Sequence, residues 1–232
     1  MFMYMDPMYL LIMLPALILA GVASAMTKGT FNRYSRVASG SRLTGAQAAR
    51  RMLDRNGLDG VEIRRVRGFL SDHYNPANRT LNLSPGVYDS ASISAIGVAC
   101  HEAGHALQHA QGYVPLQLRS AMVPVTQFSS YGAYIFILLG FLMQSMLMAR
   151  LGVWLFGIGF IFALVTLPVE WDASARAKRQ MVTDGIVMPS EAAVAGKVLN
   201  AAFLTYVAAA VSALLTLLYY MMRLGLLGGR SD

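Results

Sequence analysis

His101, Glu102 and His105 stand together as His-Glu-Ala-Gly-His in a chain that holds four histidines and four glutamates among 232 residues. This is the H-E-x-x-H pattern, and its spacing has a mechanical meaning. Four residues turn an α-helix by about 400° and raise it by about 6 Å, so both imidazoles leave one face on successive turns and can share one cation. Glu102 stands about 100° round from His101, where it can reach a metal-bound water without being a ligand. The chemistry implied is zinc-assisted hydrolysis with Glu102 moving the proton. Chance would supply about 0.001 such matches in a chain of this composition. The plainer alternative is a structural helix whose histidines only hydrogen-bond. The small residues Ala103 and Gly104 in the variable positions suit close packing under either reading.

A catalytic zinc site takes three protein ligands and a water. Glu62 falls in an expected strand, Glu102 is committed and Glu191 adjoins an expected loop, which leaves Glu170 as the third ligand. A carboxylate at the foot of an apolar stretch needs a metal or a cation beside it, and Arg176 and Lys178 are the alternative partners. His109 stands another turn along, about 6 Å beyond His105, and cannot close a tetrahedron with both earlier histidines. His73 and Tyr74, in Asp72-His73-Tyr74-Asn75-Pro76, are expected on a loop from which either could donate to an oxyanion. Asp184 precedes Gly185 and is expected in a turn, although an Asp-Gly pair supplies a ligand in some intramembrane zinc proteases. Asp172 and Asp89 are both candidates to hold a ligand imidazole in its tautomer.

The elements that must position these residues follow from local signals. Thr44 caps an expected helix to about Asn56, with Ala46, Ala49, Met52 and Leu53 on one face and Gly57 as its stop. Val61, Ile63 and Val66 indicate a strand. Pro76 and Asn78 mark a turn before a short strand Thr80 to Leu83. In zinc proteases with such a histidine motif, a strand placed before the metal helix exposes an edge that can pair with an extended substrate. Asp89 or Ser90 then caps a long helix to Gln111, ended by Gly112. The apolar lead-in to its histidines, SASISAIGVAC, is only eleven residues long and must be buried against protein or lie near the membrane surface.

The rest of the chain has the composition of a membrane protein: 56% hydrophobic, 13% charged and a mean hydropathy of +0.48. That excludes disorder, and the single cysteine, Cys100, excludes an intrachain disulfide. Four charge-free stretches of 21, 30, 19 and 25 residues lie between Asp6 and Lys28, Arg119 and Arg150, Arg150 and Glu170, and Lys197 and Arg223. Each can cross a bilayer, the second when trimmed to about Ser129 to Ala149, with Arg150 in the turn that follows. Ala23-Ser24-Ala25 has the look of a cleavage site, but the lack of a basic leader and the presence of Asp6 favour a retained helix. From Lys28 to Arg79 eleven basic residues face four acidic ones. Arg176, Lys178, Arg179 and Lys197 flank the third and fourth spans, so these clusters are expected in the cytoplasm and both ends outside, with Arg223 and Arg230 against that rule. The basic stretch carries no nucleic-acid motif, and orientation plus attraction to the lipid bilayer account for it.

The segments DHYNP, LNLSPGVY, VACHEAGHALQH, LPVEWDASARA and VLNAAFLTYVAAA, taken in order, resemble the YugP-like family of bacterial membrane zinc metallopeptidases. The resemblance implies His101 and His105 as zinc ligands, Glu102 as the catalytic glutamate and Glu170 as third ligand. More distantly, the chain is similar to HtpX-like and CAAX prenyl proteases. Those relatives carry an aspartate four residues beyond the ligand glutamate, where this chain has Ser174, with Asp172 nearer.

The expected architecture is a mainly α integral membrane protein. Four transmembrane helices accompany a small α+β zincin-like cytoplasmic domain that carries the histidine helix. Residues 1–27 form the first span and 28–119 the cytoplasmic domain; 120–169 form a transmembrane hairpin. Residues 170–197 form the segment with the third ligand, 198–222 the fourth span and 223–232 a tail. The expected function is that of a zinc (Zn2+) endopeptidase of the bacterial inner membrane, acting on membrane-associated or unfolded polypeptides. The alternative is a non-catalytic zinc-binding module acting as a chaperone or assembly factor. Zinc transport would need ionisable residues inside the spans, and the four apolar stretches hold none.

Overall fold

The structure is a computed structural model that describes residues 6–227; Arg230 and the end of the tail lie outside the described residues. It is mainly helical. In chain order it runs α1 (Pro7–Tyr34), α2 (Gly45–Arg55), β1 (Glu62–Arg65), β2 (His73–Asn75), β3 (Thr80–Leu83), α3 (Pro85–Tyr88), α4 (Ile93–Ala110), α5 (Val114–Leu142), α6 (Met146–Thr183) and α7 (Pro189–Arg223). Two compact units emerge. One takes the chain up to Ala23, Leu118–Leu167 and the part from Thr205 onward; the other takes Ser24–Gln117 and Pro168–Leu204.

The first unit is built from parts of α1, α5, α6 and α7, the four helices long and apolar enough to cross a membrane. Leu11, Leu17, Phe128 and Trp154 are each 70–75% exposed, and such a contiguous apolar surface has no place in water. With backbone groups paired inside each helix, lipid can cover these side chains without cost. Small residues bring α5 and α6 together. A Cβ on Gly140 would lie 2.6 Å from the Ala149 nitrogen, and one on Gly152 would lie 2.9 Å from the Ala133 carbonyl oxygen. The turn between them is Met143–Ser145, with Gln144 at φ 52°, so it falls inside the expected span Ser129 to Ala149. Arg150 accordingly belongs to α6 and not to the turn. A charge-free run gives no mark of where it folds back. The two polar residues Gln144 and Ser145 do, and Ser145 Oγ accepts from Met148 N–H.

The second unit carries the chemistry-bearing residues. Thr44 Oγ1 accepts from Gln47 N–H while the Gln47 side chain accepts from Thr44 N–H, a reciprocal cap that starts α2 where expected. Gly57, at φ 70°, follows its end. Ala48, Ala49, Met52 and Leu53 form its buried face; Ala46 is only partly buried. The sheet has the order β1-β3-β2, with β1 parallel and β2 antiparallel to β3. β3 is therefore central, buried at all four positions and paired on both sides, so it has no free edge for a substrate. The edges beside it are β1 and β2, the latter where the sequence indicated a loop. The register of β2 pairs Tyr74 with Leu81.

α4 starts two or three residues later than expected. Ser92 Oγ caps it by accepting from Ala95 N–H, because Asp89 and Ser90 are taken up after the short helix α3, which the sequence did not reveal. Fourteen of its eighteen residues are buried, which explains the apolar lead-in: this helix is sheathed in protein. Two glycines set how closely. A Cβ on Gly97 would meet the Ala195 Cβ at 3.2 Å, and one on Gly104 would come within 2.7 Å of the Ala173 carbonyl oxygen. The second is a near-contact of backbones, α4 against α6. A methyl at Gly104 must push the helices apart, which costs about 1–3 kcal/mol as overpacking and outweighs the roughly 1 kcal/mol that alanine gains in helix propensity. Gly104→Ala is therefore expected to lower the melting temperature and weaken zinc retention. Gly157→Ala, inside α6 with nothing within 4 Å of the added carbon, should keep the zinc and leave the melting temperature unchanged or raised in a thermal-shift and metal-content assay.

Candidate metal centre

The crossing at Gly104 and Ala173 lays α6 across the histidine face of α4. Glu170, one turn before Ala173, then points its carboxylate at both imidazoles. Its Oε2 lies 3.2 Å from His101 Nε2 and 3.5 Å from His105 Nε2, and the three donor atoms all fall within 4.8 Å of one another. Donors bound tetrahedrally at about 2.0–2.1 Å from one zinc ion stand about 3.3 Å apart, so these separations suit a single small cation. Glu170 is 1% exposed. The alternative partners go elsewhere: Arg176 Nε lies 2.5 Å from Asp172 Oδ2, and the Lys178 ammonium sits over the Trp171 ring.

Hydrogen bonds around the imidazoles decide which nitrogen faces the centre. The Gln108 Nε2 donates to the Val169 carbonyl oxygen and to Asp172 Oδ2, both 2.8 Å away and both only acceptors. That fixes the amide, so Gln108 Oε1 must be the atom 2.9 Å from His105 Nδ1, and His105 Nδ1 must carry the hydrogen. A neutral His105 then turns the Nε2 lone pair toward Glu170. The Nε2 lone pair and the carboxylate are both acceptors, so at 3.5 Å in a buried site a positive charge must stand between them, as a cation or as a second proton on the ring. The His105 pKa shows the same demand. Burial by itself pushes it down, but the Glu170 carboxylate, with Glu102 and the Gln108 amide, outweighs burial and holds it above the ordinary histidine value. His101 is treated alike at its other nitrogen, with Ser174 Oγ 3.1 Å from Nδ1. The residues present fit a zinc ion, as two imidazoles and a carboxylate with outer nitrogens held by hydrogen-bond partners.

Glu102 is buried beside the trio and does not join it. Its Oε2 accepts from the Tyr74 backbone N–H at 3.0 Å, which ties the edge strand β2 to the helix. The two other residues expected near the reaction are less directly placed. His73 is exposed, with Nδ1 2.9 Å from the Ser71 carbonyl oxygen, and the Tyr74 hydroxyl lies 2.9 Å from His109 Nδ1. His109 is thus a partner of Tyr74 and not a ligand. Asp72 accepts from the Ser84 N–H and hydroxyl, fixing the chain before β2 to the end of β3; burial still raises its pKa against those bonds. Asp184 ends α6 in a turn with Gly185 at φ 65° and takes a hydrogen from Asn56, away from the cluster. Asp89 pairs with Arg65.

Of the two aspartates considered as orienting groups, Asp172 acts one step removed, through Gln108. Gln108 and Ser174 themselves were not singled out for that role from sequence. Their helical spacing carries the signal: Gln108 is three residues beyond His105 and Ser174 four beyond Glu170, so each shares a face with the centre. Outer partners of metal-bound histidines typically govern affinity by 10- to 100-fold. Gln108→Ala should therefore weaken zinc binding by about that factor in a competition titration while the helix content of the protein is kept. Unchanged affinity would remove Gln108 from the orienting role.

Comparison with known proteins places the chain in a group. A family described as "Putative neutral zinc metallopeptidase" matches residues 9–225. The "Putative membrane protease YugP" of Bacillus subtilis (strain 168) is 46% identical over 215 residues, covering 93% of this chain and 96% of that protein. No solved structure matches. Since the family match runs from the first apolar helix to beyond the last, it takes in every element that builds the metal centre, and the chain belongs to this neutral zinc metallopeptidase family.

Proposed function

We propose that the protein is a membrane-embedded zinc endopeptidase that hydrolyses peptide bonds at the cytoplasmic surface of the bacterial inner membrane. The observation that carries the reading is Glu102 held in place beside the cluster of His101, His105 and Glu170. A purely structural metal site has four closing ligands and no use for an adjacent carboxylate fixed in this way.

His101, His105 and Glu170 would hold the ion. When bound, zinc supplies a Lewis acid and brings the pKa of a coordinated water to about 7. The protein supplies the rest. The Tyr74 N–H fixes one oxygen of Glu102, which keeps the carboxylate aimed along one direction as it takes a proton from the attacking water and delivers it to the leaving amine. Gln108 and Ser174 hold the imidazoles so that neither can rotate to spend its Nε2 elsewhere. His73, exposed on the edge strand, is a candidate donor to the oxygen that gains charge. Tyr74 serves that role less directly, since its hydroxyl meets His109.

The basic residues at the end of α1 and after it, in the last third of α6 and in the first turns of α7 support a cytoplasmic site, with membrane-bound or unfolded polypeptides within reach and a part in quality control as the working hypothesis. Glu102→Gln should retain zinc and lose at least about 100-fold of casein hydrolysis, the range of a lost acid–base group. Glu170→Ala should lose the metal as well. Full hydrolysis by Glu102→Gln would refute the role given to that residue, and a wild type without chelator-sensitive casein hydrolysis would favour the non-catalytic zinc-binding module. Orientation has its own test. Cys100 is fully buried and burial pushes its thiol pKa up, so it contributes little background to thiol labelling. Arg36→Cys, at an exposed site, should react with a membrane-impermeant maleimide in inside-out vesicles and stay unlabelled in intact spheroplasts; the reverse pattern would put the metal centre outside.

A further inference from the structure

Away from the metal centre, the second unit carries a groove of about 640 Å³ lined by the last turns of α1, the Trp171 region of α6 and the first half of α7. Arg33, Lys197 and Asn200 supply its polar lining; Met26, Trp171 and Leu204 supply its apolar lining. Both cations are exposed, and neither joins a salt bridge among the described residues. The apolar wall is fixed rather than loose. The Trp171 ring meets Phe203 edge-on at 5.3 Å between centroids, with the Lys178 ammonium 5.7 Å over it, yet the indole stays 56% exposed.

The position of this groove along the chain says what surrounds it. Lys28, Glu170 and Lys197 are the charged residues that end three of the four apolar stretches. Met26 and Trp171 therefore stand where hydrocarbon gives way to headgroups, the level at which tryptophan collects, and Leu204 lies about two turns further into the fourth apolar stretch. A water-soluble anion would use the two cations and leave the apolar wall idle. A zwitterionic lipid brings its own cation to its phosphate and gains less from a further pair. An anionic lipid uses both walls.

We propose that this groove binds the phosphate of an anionic phospholipid, with Arg33 and Lys197 facing the phosphate, Asn200 hydrogen-bonding the headgroup or ester oxygens, and the acyl chains starting along Met26, Trp171 and Leu204. Arginine gives the phosphate a planar, two-pronged donor and lysine a point charge, which is the usual division of labour at such sites. The site is separate from the catalytic trio, although Trp171 follows Glu170 directly on α6.

Full-length protein, exchanged in detergent against equal amounts of phosphatidylglycerol and phosphatidylcholine, can be examined by native mass spectrometry for retained lipid. Wild type should favour phosphatidylglycerol by about 10- to 30-fold, the effect of two basic residues near an anionic surface. Arg33→Gln with Lys197→Gln should abolish the preference while zinc content stays at one ion, and Arg33→Lys should keep most of it. Should the double variant fail to fold, single Lys197→Gln, at an exposed site, is expected to cut the preference several-fold. Equal retention of the two lipids, or an undiminished preference in the variants, would overturn the proposal. So would displacement of the lipid by millimolar inorganic phosphate, which would mark a site for free anions.

Discussion

The close approach of α4 to α6 at Gly104 and Ala173 is the constraint on which the rest of the metal centre depends. The histidines alone are set by helix geometry, since residues four apart share a face whatever surrounds them. Glu170 is different: it comes from another helix, 65 residues further along than His105, and reaches both imidazoles only because nothing larger than a hydrogen atom stands between the backbones one residue away. A buried carboxylate facing two imidazole nitrogens is costly in the absence of a cation, and the structure accepts that arrangement in a fully packed environment. The demand for a positive charge is thus built into the fold.

A second layer of polar groups makes that demand specific. Asp172 takes hydrogens from Arg176 and from Gln108, and Gln108 passes the constraint to His105 Nδ1. An ordered set of two Nε2 atoms and a carboxylate oxygen, all within 4.8 Å of one another, is a donor set that could hold a small divalent ion. The same logic explains why α4 is buried nearly all round. Side chains held on a sheathed helix keep their rotamers, and a site that must stay within a fraction of an ångström needs rigid walls.

Much of this was legible in the chain, for reasons that differ by residue. The histidine helix, its apolar lead-in and Glu170 stood out because charged and imidazole groups are scarce in an apolar sequence, so each one left needed a purpose. The Thr44 cap and β3 were legible because their signals are local. β2 was not: three residues have no usable alternation, and His73–Asn75 is a strand only because β3 pairs with it and Glu102 takes the Tyr74 N–H. The start of α4 was misplaced because Asp89, Ser90 and Ser92 are all competent caps, and a four-residue helix decides among them. The α5–α6 turn was misplaced because the charge boundary, Arg150, lies beyond it and only the uncharged polar pair Gln144 and Ser145 marks it. The roles of Gln108 and Ser174 were hidden because each depends on a partner from a different helix.

The most direct test of the centre is X-ray absorption at the zinc edge of the zinc-loaded, full-length protein. A site made by His101, His105 and Glu170 should show only nitrogen and oxygen neighbours at about 2.0–2.1 Å, with outer-shell scattering from two imidazoles. A sulfur neighbour at about 2.3 Å, which only Cys100 or a methionine could supply, or the signature of three imidazoles, would contradict the account.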